Sequence, residues 1–290
     1  MKALNLLPVA AIVFCGCSLN SEASDNKIFS ATETHFAEKN TGKTNVPDSA
    51  QDEKKIPDDA ATIYRLAAEQ GSVTAQRTLG EMYGRGEGVP RDYAEAIKWY
   101  RRAADQGDAE VRNRLGLIYL EGTVVPQNFD EAVRWFRLAA AQGDIQAQNN
   151  LGTMFMQGHG VQKNEVEAST WFKLAAEQGD AMAQFNYGLM LYIGSGVLQN
   201  KSEAARWFRS SALQWNTSAM NNLAEMYHEG ECVTQNMVIA YALWNASATK
   251  GLTVAADNRE KFQKIMTAAQ ILEGQRISDS WISSGLILIP

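Results

Sequence analysis

Cysteine is scarce in this 290-residue chain, which has only Cys15, Cys17 and Cys232. Cys15 and Cys17 close an apolar run near the N-terminus, which leaves Cys232 without an intrachain partner, so no disulfide framework can be drawn. Histidine is equally rare, with His35, His159 and His228, and none lies where it would order a general base. No Gly-x-Ser-x-Gly, His-Glu-x-x-His or Walker pattern occurs. The run Gly84-Arg85-Gly86-Glu87-Gly88 resembles a phosphate loop only superficially, because no strand precedes it and its glycines recur elsewhere as a loop. His228, Glu229, Glu231 and Cys232 are metal-ligand types in one short stretch, set against the simpler reading of a solvated loop; no metal and no cofactor is expected. Net charge is −6 with no basic stripe, which argues against nucleic acid as a partner. Nor is there a long apolar run. Leu6 to Phe14 is too short to span a bilayer and reads as part of a secretory signal.

What is present is repetition. Stepping by thirty-six residues gives Leu79-Gly80, Leu115-Gly116, Leu151-Gly152, Tyr187-Gly188 and Leu223-Ala224. The same step gives Trp99, Trp135, Trp171 and Trp207, and it gives Ala60, Ala96, Ala132, Ala168, Ala204 and Ala240. A fixed period of this length predicts a solenoid of stacked supersecondary units.

Each unit reads as two helices. Asp108, Asp144 and Asp180 suit the N-cap of the first, where a short oxygen-bearing side chain accepts an orphan N–H. Apolar residues such as Ala147, Leu151, Met154 and Phe155 then share one face. Gly152 and its equivalents fall mid-helix, where glycine costs about 1 kcal/mol against alanine. That cost predicts a neighbouring helix too close for a Cβ. The second helix opens with a predicted capping box, pairing Asp92 with Glu95, Asn128 with Glu131, Asn164 with Glu167 and Asn200 with Glu203. It closes at Gly71, Gly107, Gly143 and Gly179, each suited to the left-handed C′ position.

These residues carry a resemblance. The pattern Ala-x-x-x-Leu-Gly-x-x-Tyr-x-x-Gly-x-Gly-Val, then Asp or Asn, then Ala-x-x-Trp-Tyr-x-x-Ala-Ala-x-x-Gly, resembles the Sel1-like repeat, a variant of the tetratricopeptide unit, over roughly residues 58 to 285. The resemblance implies an all-α fold: a right-handed α/α superhelical solenoid of about five repeats, with an N-terminal half-repeat and a C-terminal helical cap. It implies adaptor or scaffold roles rather than a shared chemistry. Some secreted members staple each repeat with a cysteine pair, and activity on cell-wall or β-lactam substrates goes with that branch. This chain lacks those pairs, so an enzyme of that kind is the alternative rather than the main reading.

Taken in order, residues 1–16 read as a signal peptide. Gly16-Cys17 resembles the bacterial lipobox, which makes Cys17 the lipidated first residue of the mature chain; an ordinary signal cleaved nearby is the alternative. Ser18, by resemblance to enterobacterial lipoproteins, favours the outer membrane, and so a periplasmic location in the envelope. Residues 17–57 are polar, hold too little apolar surface to offset the entropy of ordering, and read as a tether. Residues 58–72 form the capping half-repeat, 73–252 the five repeats, and 253–290 the C-terminal cap and tail, with Thr267 a predicted N-cap and the apolar tail packing on the cap.

The remaining candidate is a binding surface. By resemblance, first helices line the concave side of the stack. Asn150, Asn186 and Asn222 recur there and match the repeat pattern, which favours a structural hydrogen-bonding role, with a binding site as the alternative. One position earlier run Arg77, Asn113, Asn149, Phe185 and Asn221, and beyond the Leu-Gly pair run Glu81, Leu117, Thr153, Leu189 and Glu225. Both rows vary as a recognition surface would, with a merely solvated face as the alternative; Asn113, Asn149 and Asn221 lie outside the apolar pattern and are expected to tolerate substitution. Asn amides can hold an extended peptide. Trp215 stands where the helix-ending glycine belongs. The expectation is a helix ending one residue late with Asn216 in the turn, and Trp215 either folded back on the chain or serving as a partner anchor. The partner expected is a protein or peptide in the concave groove. Immunity proteins against secreted (type VI) phospholipase toxins, and envelope or host-interaction adaptors, are the roles the resemblance implies, with the membrane touched only through the lipid.

Overall fold

The computed structural model of the chain describes residues 58–289. Among them are thirteen helices and no strand: α1 (Asp58–Glu69), α2 (Val73–Arg85), α3 (Tyr93–Asp105), α4 (Ala109–Glu121), α5 (Phe129–Ala140), α6 (Ile145–Gln157), α7 (Glu165–Glu177), α8 (Ala181–Ile193), α9 (Lys201–Ala212), α10 (Thr217–Glu229), α11 (Met237–Thr249), α12 (Thr253–Gln263) and α13 (Ala268–Ser284). From α2 to α11 they alternate as helical hairpins, the tandem of an α/α solenoid. The signal segment, Cys17 and the tether fall outside the described residues. The described residues group into two compact units, one of residues 58–147 with 159–161, the other of 148–158 with 162–289.

Local chemistry sets the helix ends. Asp108, Asp144 and Asp180 cap as expected, their carboxylates accepting from the N–H groups of Val111, Ala147 and Ala183. The second-helix caps differ from expectation. Asp92, Asn128, Asn164 and Asn200 do accept from the N–H of the glutamate three residues on. Their own N–H groups, which a reciprocal glutamate would need, donate instead to Tyr83, Tyr119, Phe155 and Leu191 of the preceding helix. The cap residue is therefore also the strap of the hairpin, and the glutamates make other contacts: Glu95 to Lys98, Glu131 to Arg134, and Glu203 to the side-chain amide of Asn200. A full capping box forms at Thr267 and Gln270, opening α13.

Packing follows the repeat. In the first unit Leu79, Met82, Tyr100, Leu115, Ile118 and Phe136 are fully buried; in the second, Phe172, Phe208 and Trp244 are. The mid-helix glycines do mark close approach: a Cβ on Gly152 would stand 2.8 Å from the Phe172 ring. At the C-terminus the chain runs back. Ile287 and Ile289 are buried while Leu286 and Leu288 are exposed, and Arg209 of α9 donates to the Ile289 carbonyl at 2.5 Å. The tail is thus held in part by the fourth repeat.

Candidate functional site

The two polar rows of the first helices behave differently in the two units. In the first, Arg77, Glu81, Asn113 and Leu117 are all half-buried and reach the surface. Arg77 Nη1 donates to Glu110 at 3.0 Å and to Asp108 at 3.4 Å. The guanidinium of buried Arg114 donates to Glu81 at 3.2 Å and to the Tyr100 hydroxyl at 3.1 Å. Burial pushes the Tyr100 hydroxyl up to about 12, and burial raises Glu81 despite the Arg114 charge.

In the second unit the same rows close up. Asn149, Phe185 and Asn221 are 3%, 3% and 0% exposed, which corrects the expectation that Asn149 and Asn221 are substitutable surface positions. Their side chains are used between repeats. Asn186 Nδ2 donates to Asn149 Oδ1 at 3.2 Å, and Asn258 Nδ2 donates to Asn221 Oδ1 at 3.0 Å. Phe185 packs on Phe208 with ring centroids 5.9 Å apart. An amide carries both a donor and an acceptor, so it can close a repeat interface as well as present a surface. Asn150, Asn186 and Asn222 are buried too.

Sequence reasoning placed Glu225 in a variable surface row but not as a buried carboxyl. It stands in register with Glu81, but Asn258 stands where register places Arg114. Asn258 donates to Glu225 Oε1 at 3.1 Å, and Oε2 has no hydrogen-bond partner among the described residues. Burial pushes this carboxyl up to about 7, against the lowering effect of the Asn258 and Asn221 hydrogen bonds and the Lys261 charge. The readable signal was the 144-residue step from Arg114 to Asn258 with the glutamate retained.

The His228 to Cys232 stretch is occupied by structural contacts. His228 Nδ1 lies 2.9 Å from the Met237 sulfur and the ring lies against Phe262, with centroids 3.9 Å apart; burial lowers its pKa. Glu231 accepts from Tyr192 at 2.5 Å and from Lys201 at 2.6 Å. Burial opposes its charge, yet those two donors outweigh it and lower its pKa. Cys232 is exposed. Among the described residues no group of three or more His, Cys, Asp or Glu is placed to hold a metal.

Trp215 reverses an expectation. Helix α9 ends at Ala212, and Trp215 itself takes the left-handed turn with φ 64°. Asn216 is unavailable for that turn because it caps α10 in the extended region, accepting from Ala219 N–H. The left-handed conformation costs a non-glycine residue roughly 1–2 kcal/mol. Two contacts offset it: the indole N–H donates to the Gly285 carbonyl at 2.8 Å, and the Lys250 ammonium sits 5.0 Å from the ring centroid. Trp215 is half-buried against the chain's own tail.

The family model described as Sel1 repeat matches residues 73–108, 109–144, 145–180, 181–214 and 217–252. Among solved structures, the chain is similar to c5321, described as a protective antigen present in uropathogenic Escherichia coli strains and displaying an SLR fold. The identity is 37% and the TM-score 0.68, over 78% of this chain and 50% of that one. The chain therefore spans half the length of that protein. It is also similar to a Sel1 repeat protein from Oxalobacter formigenes, with 33% identity and a TM-score of 0.63 over 67% of this chain and 80% of that one. A looser likeness is to the immunity protein Pa5087 of Pseudomonas aeruginosa. There the identity is 21% and the TM-score 0.40 over 68% and 77% of the two chains, too low to transfer anything from it. No curated protein gives a significant match.

Proposed function

The chain belongs to the Sel1 repeat family, and from that premise we propose that it is a protein-binding scaffold held in the bacterial envelope by a lipid on Cys17. The observation that carries the binding reading is the open part of the first-helix rows. Arg77, Glu81, Asn113 and Leu117 reach the surface on adjacent repeats and differ in type, whereas the residues beneath them repeat. A cation, an anion, an amide and an apolar group on one rigid face suit recognition of a folded protein or an extended peptide. The anchoring reading rests on the Gly16-Cys17 step after the apolar run, and Ser18 favours the outer membrane. At finer grain, the captured protein is a secreted toxin that the chain neutralises at the envelope.

A photo-crosslinking residue at position 113 in living cells, with the same residue at Leu174 as control, tests this. Leu174 is exposed on a second helix. The expected result is a discrete adduct from position 113 in the membrane fraction, lost to the soluble fraction in Cys17→Ala together with fatty-acid labelling. Adducts from position 174 alone would move the binding face. Unchanged labelling in Cys17→Ala would remove the anchor.

A further inference from the structure

A cleft lies on the second-helix side of the first unit. Its walls are Arg101 and Asp105 of α3 with Glu131, Arg134 and Trp135 of α5, enclosing a volume of ≈ 210 Å³. Trp135 is 3% exposed, and its indole N–H meets no acceptor among the described residues. The indole N–H groups of Trp171 and Trp244 are likewise unmet; leaving such a buried donor unmade costs about 1–3 kcal/mol, and Trp135 lines this cleft. The repeat shows what an internal acceptor would look like. In the fourth repeat the Trp207 N–H points to Glu203 four residues back, at 3.5 Å. The register equivalent, Glu131, is instead drawn to Arg134 at 3.3 Å, and Arg134 lies over the Trp135 ring with its guanidinium carbon 4.9 Å from the centroid. Arg101 donates to the Tyr119 hydroxyl.

Arg134 also lines a second hollow, a groove of ≈ 600 Å³ with Asp130, Val133, Arg137, Leu138 and Gly160. Leu138 is 38% exposed there although apolar. Together the two hollows are lined by three arginines, three carboxylates and an apolar wall, with the unmet Trp135 N–H buried at the cleft. The cleft walls carry two positive and two negative side chains, so their formal charges cancel. That balance disfavours an anion, which Asp105 and Glu131 would repel, and disfavours a cation equally. It suits a group with an acceptor and a donor side by side and no charge, namely a peptide bond.

We propose that this cleft and groove dock an extended, uncharged segment of a protein partner, with one backbone carbonyl accepting from Trp135 and a neighbouring apolar side chain lying on Val133 and Leu138. Arg134, exposed over the Trp135 ring, is the side chain that must swing off the indole to admit it. This site is separate from the first-helix rows, and its test does not depend on them.

The test uses nitrogen-15 labelled protein and the indole N–H resonances, with Trp135→Phe identifying the peak. The probe is a blocked leucyl-leucine methylamide. Titration should move the Trp135 peak downfield to saturation, with other indole peaks still. A glycyl-glycine version should bind about tenfold more weakly, as loss of one apolar side chain predicts, and Leu138→Ser, a surface change, should weaken the leucine probe similarly. Affinity should hardly change with salt, because the ligand is uncharged. A Trp135 peak that stays put overturns the proposal. So does tighter, steeply salt-dependent binding of a blocked glutamyl-glutamate probe, which would make this an anion site, and so does equal binding of the glycine and leucine probes.

Discussion

Glu225 shows how one missing charge changes what a residue does. Glu81 has an arginine beside it; Glu225, at the same register, is hydrogen-bonded by amides, and burial outweighs them and the Lys261 charge to hold its carboxyl up to about 7. An unfolded glutamate titrates near 4.3. Between those two values the folded chain binds the proton more tightly than the unfolded one, so stability falls as pH rises through this window. Above about 7 both states are ionised and the loss is complete, on the order of 3 kcal/mol. His228 works the other way, since burial lowers its folded pKa and its contribution is lost as pH falls through the unfolded value. The comparison that isolates Glu225 is therefore wild type against Glu225→Gln. Melting midpoints measured from pH 5 to pH 8 should converge at the acid end, with the variant higher at the alkaline end. Parallel curves would mean that Glu225 does not titrate in this range. The variable polar rows were readable in the sequence, but not their burial. Whether Asn221 faces water or Asn258 depends on a side chain thirty-seven residues away, and both outcomes use the same amide.

Helices were the most legible level, because what starts and stops them is local. Asp108, Asp180 and the glycines Gly71, Gly107, Gly143 and Gly179 are read within a few residues of where they act, and the structure keeps them in role. Local reading failed where the deciding partner was distant. The capping boxes are incomplete because the cap N–H belongs to the preceding helix. Trp215 holds a glycine's conformation because its compensation comes from Gly285, seventy residues on. The mid-helix glycine makes the same contest quantitative. Replacing Gly152 by alanine should gain about 1 kcal/mol of helix propensity. It should lose about 1–3 kcal/mol to overpacking, since Phe172 is fully buried and its ring lies 2.8 Å from the added Cβ. The expected net effect is destabilisation by about 1 kcal/mol in urea unfolding. Adding Phe172→Leu should make the pair less costly than the sum of the single changes. A Gly152→Ala protein more stable than wild type would show that propensity, not interlock, governs this position.

At the scale of the whole chain, a repeat protein predicts something a globular one does not: a full period can be removed without destroying the pattern. Stability in such chains is close to a sum of repeat and nearest-neighbour terms. Deleting residues 181–216 joins Asp180 to Thr217. Asp180 already caps a first helix through the N–H three residues on, so it replaces Asn216 at the start of α10. Gly179 replaces Trp215 in the left-handed turn, and Gly does so without strain. What is lost is specific: the Arg209 and Trp215 contacts to the tail and the Tyr192 and Lys201 contacts to Glu231. The deleted chain should therefore fold, show a cooperative far-UV melt and carry a helical signal reduced in proportion, with its C-terminal tail more open to protease. Removing residues 199–216, half a period, is the control. It joins Leu198 to Thr217, deletes a second helix and brings two first helices end to end, so no apolar face meets its register partner. That chain should lose cooperative unfolding. If both deletions behave alike, the register is not what holds the fold.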